Sequence, residues 1–96
     1  MNMGETVRYF AKASGRVQGV GFRMYVRENA SRLGLRGWVK NMDDGTVDME
    51  VQGESAKVDK LFEIIQAGNY FIKVTELHME KQNPVLPPES AFLIKY

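Results

Sequence analysis

Residues 15–23 read Gly15-Arg16-Val17-Gln18-Gly19-Val20-Gly21-Phe22-Arg23, a glycine-rich run that closes on an arginine. Glycines let consecutive backbone N–H groups turn into one hollow, and a helix starting at the end of the run adds the partial positive charge of its N-terminus. Arg23, in the first turn of such a helix, adds a planar fork of donors suited to phosphate or carboxylate. The stretch therefore has the chemistry of an anion cradle. Each part also has a plainer use. The glycines can serve a tight strand-to-helix turn and Arg23 can pair with Glu28 or another surface carboxylate; further along, Asn41, just ahead of Asp43-Asp44-Gly45, can simply end a strand before a turn.

What the chain lacks narrows the chemistry. It has no cysteine, which excludes a thiol nucleophile ahead of an arginine, a disulfide framework and a thiolate metal site. No Gly-x-x-x-x-Gly-Lys-Ser/Thr sequence is present to make a nucleotide loop. Asp43-Asp44-Gly45-Thr46 lacks the spaced acidic ligands of a calcium loop and reads as a turn. His78, the single histidine, falls in an extended run with no evident partner and is assigned a structural or surface role. What remains is a cradle without a nucleophile, and that is catalytic only toward a substrate already activated. An acyl phosphate meets the condition. It is a mixed anhydride whose leaving group, a carboxylate, is a weak base. The protein need only hold the phosphoryl group, stabilise its charge and place a water in line. Neither a metal nor a general acid is obligatory.

These residues need a frame, and the apolar periodicity supplies one. Val7 to Ala13 alternates, with Val7, Tyr9, Ala11 and Ala13 on one face and Arg8, Phe10 and Lys12 on the other, as a strand does. Phe22, Tyr25, Val26, Ala30 and Leu33 lie on one side of a helix that starts at the glycine loop and stops at Gly34. Leu35 to Met42, the Asp43-Asp44-Gly45 turn and the alternating Val47, Met49 and Val51 give two strands and a hairpin. A second helix starts near Ser55, a candidate N-cap, carries Val58, Leu61, Phe62 and Ile65 on one face, and ends at Gly68. Phe71 to Met79 is extended, Asn83 to Ser90 is a loop with three prolines, and Phe92, Ile94 and Tyr96 alternate. The order β-α-β-β-α-β plus a short C-terminal strand predicts an α+β, ferredoxin-like split βαβ fold, an antiparallel sheet with two helices on one face. That fold alone assigns no function.

With 96 residues, 44% of them apolar and 26% charged, the chain suits one globular domain over residues 1–96, with residues 1–6 as a disordered N-terminal tail. The net charge of +1 conceals an asymmetry: residues 1–40 hold eight Lys/Arg against two Glu, and residues 41–96 hold five against ten acidic residues. The basic half contains the glycine loop, which favours a small anionic ligand over nucleic acid. No apolar run is long enough to span a membrane, and residues 1–6 lack a basic start followed by an apolar segment. A cytoplasmic protein is the expectation.

The loop pattern Gly-x-Val-Gln-Gly-Val-x-Phe-Arg resembles that of the acylphosphatases. So do Gly37-Trp38-Val39-Lys40-Asn41, Asp44-Gly45-x-Val47, the later Gly53 and the closing Phe92-x-Ile94-x-Tyr96. The resemblance implies a free-standing, bacterial-type acylphosphatase that is metal-independent and has no cofactor. It implies hydrolysis of the carboxyl–phosphate anhydride to carboxylate and inorganic phosphate by direct attack of an oriented water. It assigns phosphate binding to Arg23 with the loop Arg16, Val17, Gln18, Gly19, Val20, Gly21 and Phe22, and the orientation of water to Asn41. Gln18 is expected to shape the loop. Gly21 stands where other members commonly have a larger residue, which bears on loop rigidity and turnover without removing a donor. The partners expected are a small acyl phosphate and inorganic phosphate, with no nucleic acid, no membrane and a monomeric state. Two other classes share the fold. An RNA-binding module would show aromatics in a basic motif on its central strands, whereas Val47 to Gln52 offers Asp48 and Glu50. A non-catalytic anion sensor, or a relative of the acylphosphatase-like domain of larger carbamoyl-transferring maturation proteins, would keep the cradle; the single-domain length favours the free-standing enzyme.

Overall fold

In the computed structural model, which describes residues 4–96, the alternating runs form strands and the two periodic runs form helices. In chain order these are β1 (Thr6–Arg16), α1 (Phe22–Arg32), β2 (Arg36–Asn41), β3 (Val47–Glu54), α2 (Ser55–Ala67), β4 (Lys73–Gln82) and β5 (Phe92–Lys95). The strands lie side by side as β4-β1-β3-β2-β5. The first four pair antiparallel, as a split βαβ requires, while β5 joins β2 in parallel, so the expected antiparallel sheet is mixed at one edge. The cause is the route of the chain. It leaves β4 at one edge, crosses the sheet at that same end and turns back along β2, which already runs opposite to β4. Of the expected N-terminal tail, residues 1–3 lie outside the described residues. Thr6 already pairs with Glu54, and the Glu5 carbonyl accepts the Ser55 N–H at 2.9 Å.

One face of the sheet is apolar, and the core lies between it and the helices. Val7, Ala11, Ala13, Val39, Val47, Met49 and Val51 are buried there against Val26 and Ala30 of α1 and Val58, Leu61 and Ile65 of α2. Tyr9 meets Phe62 edge-on at 6.1 Å. Ser55 is the first residue of α2 rather than its N-cap, a position held by Glu54 with no side-chain cap bond. The fourth strand starts later than Phe71 because the Asn69 side chain accepts the N–H groups of both Phe71 and Ile72, holding them in a turn. It runs on past Met79 because pairing with β1 continues to Gln82.

The other face carries the charges, and residues 83–91 strap across its lower end. Arg8 is only 3% exposed. It donates to Glu50 at 2.8 Å, to the Gln52 side chain at 3.0 Å, and bidentately to Glu89 at 3.1 and 2.8 Å. Gln52 exchanges two bonds with the Val85 backbone, and Arg36 donates to the Glu89 carbonyl. These bonds fix where β5 enters the sheet. Its bond to Arg8 holds the Glu89 carboxyl below its ordinary pKa, and the same bond raises that of Arg8. A depressed carboxyl stabilises the fold above its unfolded-state pKa of about 4.3 and loses that contribution as pH falls through the lower folded value. Glu89→Gln should therefore destabilise by about 2 kcal/mol at neutral pH, since it removes one of the two carboxylates that pair with a buried arginine and leaves Glu50 as the other. In denaturant titrations the gap from wild type should begin to narrow below about pH 4 and close as the pH falls through the lowered folded value. A gap that stays constant with pH would show that the ion pair does not carry the effect.

Candidate functional site

The glycine loop is positioned by a defect in β1. The strand runs on to Arg16, but its register with β4 shifts between Ser14 and Gly15. Gly15 has φ 119°, and a Cβ there would stand 2.3 Å from the Lys73 carbonyl oxygen, so only glycine lets the two strands approach this closely. Beyond the bulge Arg16 faces Lys73 across the strands, and its side chain lines a separate cavity with Gln66, Tyr70 and Lys73. Val17 follows and is buried, Val20 packs partly against the core, and Phe22 is buried beneath α1. Three apolar side chains thus turn inward and anchor the loop. Gln18 ties it sideways: its amide donates at 2.8 Å to the carbonyls of both Met42 and Thr46 in the β2–β3 turn. That turn is braced by Asp44, which accepts from the Thr46 hydroxyl at 2.6 Å and N–H at 3.0 Å; these bonds, the hydroxyl first, hold the Asp44 carboxyl below its ordinary pKa.

With the side chains committed inward or sideways, the backbone amides are left over. Gly21, at φ 77° and ψ 22°, is the N-cap of α1 and has no side chain to cap it; the first turn holds no acidic residue. Among the described residues, no backbone N–H from Gln18 to Met24 donates to any carbonyl or side chain. Donors left open in this way form a positive hollow at a helix N-terminus. Arg23 stands beside it with no carboxylate in ion-pair range among the described residues, so the pairing with Glu28 is not made. Instead Nη1 donates to the Lys95 carbonyl at 3.4 Å, and the guanidinium carbon lies 4.9 Å from the centroid of the Tyr96 ring. One edge and one face of the fork are held by β5 and its continuation, and the other edge is unengaged.

Asn41 closes β2 on the helix-facing side, in register with Val47. Its Oδ1 is fully buried and has no hydrogen-bond partner, an arrangement that ordinarily costs about 1–3 kcal/mol unless water or a ligand supplies a donor. Asn41 and Arg23 line one open cavity of about 200 Å³ together with Gly19 and Gly21, and Met24, Ile94 and Tyr96 make its apolar side. Among the described residues, Arg23 supplies its only charged side chain. Val17, Gly19, Gly21, Phe22 and Arg23 of the loop are thus brought together with Asn41, whereas Gln18 and Val20 do not line this cavity and Arg16 lines the separate one. His78 bonds to the exposed Glu80, away from the cavity. Among the described residues no three His, Cys, Asp or Glu side chains cluster to hold a metal, and no helix is long and apolar enough to cross a membrane.

The part that sequence reasoning missed is the contribution of β5, whose Lys95 carbonyl and neighbouring Tyr96 ring support Arg23. The alternation of Phe92, Ile94 and Tyr96 marked a strand there but not its partner. Chemically, the cavity joins a set of unpaired backbone donors and one cation to an unpaired side-chain acceptor, Asn41 Oδ1.

The family model described as Acylphosphatase matches residues 9–94. An acylphosphatase of Geobacillus thermodenitrificans is 51% identical over 82 residues, covering 85% of this chain and 86% of that one. The crystal structure of an acylphosphatase from Bacillus subtilis superposes with a TM-score of 0.88 at 36% identity, covering 94% of this chain and 99% of that one. Full-length HypF in a phosphate- and nucleotide-bound form is similar at a TM-score of 0.86 and 25% identity, covering 96% of this chain but 12% of that one.

Proposed function

The chain belongs to the acylphosphatase family, and on that footing we propose that it hydrolyses the carboxyl–phosphate anhydride of acyl phosphates to a carboxylate and inorganic phosphate. The phosphoryl oxygens accept hydrogen bonds from the Gln18 to Met24 amides and from the free edge of Arg23. A water donates one hydrogen to Asn41 Oδ1, which turns its lone pair toward phosphorus. The new bond forms from the water oxygen, the bond to the acyl oxygen breaks, and the electron pair leaves on the carboxylate. The carboxylate needs no proton to depart, and the water's proton passes to phosphate or solvent after the transfer.

The buried, partnerless Asn41 Oδ1 carries this reading. A site that only bound an anion would need donors, and an acceptor beside an anion repels it unless a molecule that donates to both stands between them. Water is that molecule. The same observation favours the enzyme over the anion sensor. Arg23 as phosphate ligand, Asn41 as the group orienting water, and a monomer of the cytoplasm acting on free acyl phosphates, with neither nucleic acid nor membrane as partner, belong to the same proposal.

The test is hydrolysis of benzoyl phosphate by the purified protein, followed by loss of ultraviolet absorbance and by phosphate release. Turnover no faster than in buffer alone would overturn the proposal. Because no Asp, Glu or His side chain lines the cavity among the described residues, activity should be unchanged after exhaustive chelation. A loss in chelator that magnesium or zinc restores would show that a metal takes part.

A further inference from the structure

Resting on the proposed reaction, we infer that Met24 and Tyr96 form a subsite for the acyl group and select acyl phosphates whose acyl part is apolar and uncharged, with a flat aromatic acyl group favoured. Both side chains line the cavity that holds Arg23 and Asn41, and both are solvent-exposed, Met24 by 52% and Tyr96 by 92%. Large apolar surface left open at the rim of a binding cavity is where a ligand's own apolar part gains by docking. The acyl carbon is joined to the phosphoryl group through one bridging oxygen, so a phosphate bound against Arg23 sets the acyl group beside the residues that flank Arg23. Met24 is next to it in the first turn of α1, and the Tyr96 ring lies against its guanidinium at 4.9 Å. One face of that ring is turned to the cation; the ring's high exposure leaves the other free to stack on a planar group. Ile94 continues the same apolar side and packs against the core.

Charge acts in the same direction. Among the described residues, Arg23 supplies the only charged side chain lining the cavity, and the phosphoryl group takes it. An acyl group bearing its own carboxylate would enter without a counter-charge and lie against a thioether and an aromatic ring, losing hydration with no partner in exchange.

The test compares kcat/KM for acetyl phosphate, benzoyl phosphate and a carboxylate-substituted benzoyl phosphate in the wild-type protein and three variants. Wild type should prefer benzoyl over acetyl phosphate by about tenfold, and over the carboxylated analogue by at least as much. Met24→Ala and Tyr96→Ala should each lower the benzoyl-to-acetyl ratio by about threefold or more. Met24→Lys should lower the preference for benzoyl over its carboxylated analogue by about tenfold, since it supplies the missing cation. Each ratio is taken on one preparation, so partial unfolding cancels, and Met24→Ala, which leaves the Lys95 and Tyr96 contacts of Arg23 in place, separates the subsite from a displaced Arg23. Equal kcat/KM for the three compounds, or ratios that no variant moves, would overturn the subsite while leaving the hydrolase intact. Failure of wild type to hydrolyse any of them would overturn the hydrolase and the subsite with it.

Discussion

Arg23→Ala should lower kcat/KM by about a hundredfold or more, some 2.7 kcal/mol of lost transition-state stabilisation, and should weaken competition by inorganic phosphate. The size follows from the cavity, in which no second charged residue can take over the role. It also follows from preorganisation. The guanidinium is already held by the Lys95 carbonyl and the Tyr96 ring, so little reorganisation is needed as charge develops on the phosphoryl oxygens. Arg23→Lys should recover only part of the loss, because an ammonium keeps the charge but cannot bond the carbonyl and the phosphate with one rigid fork. Stability should fall by no more than about 1 kcal/mol, since the partly exposed side chain contributes one long hydrogen bond and a cation–π contact and no ion pair. Steady-state kinetics with phosphate as competitor, alongside a thermal melt, reads all of this. Near-wild-type kcat/KM in the alanine variant, with phosphate still competing, would place the anion elsewhere.

How much of this was legible beforehand depends on the range of each interaction. Phe22, Val26 and Ala30 on one face of α1, or Val47, Met49 and Val51 along β3, announce themselves because helix and strand periods are properties of neighbouring residues. The loop and its arginine were legible for the same reason: the donors, the glycines and the helix start are contiguous. Asn41 was legible as a position, but its defining property, a buried acceptor without a donor, depends on what the rest of the fold does not bring near it. Arg8 shows the limit most plainly. At an alternating position on the second face it resembles a solvated charge. It is buried only because Glu89, 81 residues further on, is carried back over it by the strap. Gly15 looked like one more loop glycine, whereas its need arises from the Lys73 carbonyl across the strands. Arg16, next to it, is then turned to another cavity. The parallel pairing of β5, and with it the support of Arg23 by Lys95, follows from the path of the strap. No local pattern encodes that path.

Asn41→Ala should separate catalysis from binding. We expect kcat to fall by about a hundredfold or more, the scale on which a misplaced reactant costs rate, with phosphate inhibition changed by less than about threefold. The amide suits the assigned task because its carbonyl accepts from water without removing the proton, and no proton need be removed before the phosphorus–oxygen bond forms. Stability supplies an independent reading. If Asn41 merely ended a strand before its turn, its side chain would bond the turn, and losing it would cost about 1 kcal/mol. The Oδ1 atom has no partner in the fold, so its removal breaks no bond and the melting temperature should hold or rise slightly. Asn41→Asp preserves the shape but sets a carboxylate, at a position where the amide oxygen is buried, beside an anionic substrate. It should be as inactive as the alanine variant and, unlike it, should also bind phosphate more weakly, because like charges at this range repel. Full activity in Asn41→Ala would refute the assigned role outright. An alanine variant that is both inactive and markedly less stable would return Asn41 to the part of a turn residue. Only lost turnover, retained phosphate affinity and an undiminished melt together assign the buried oxygen to the attacking water.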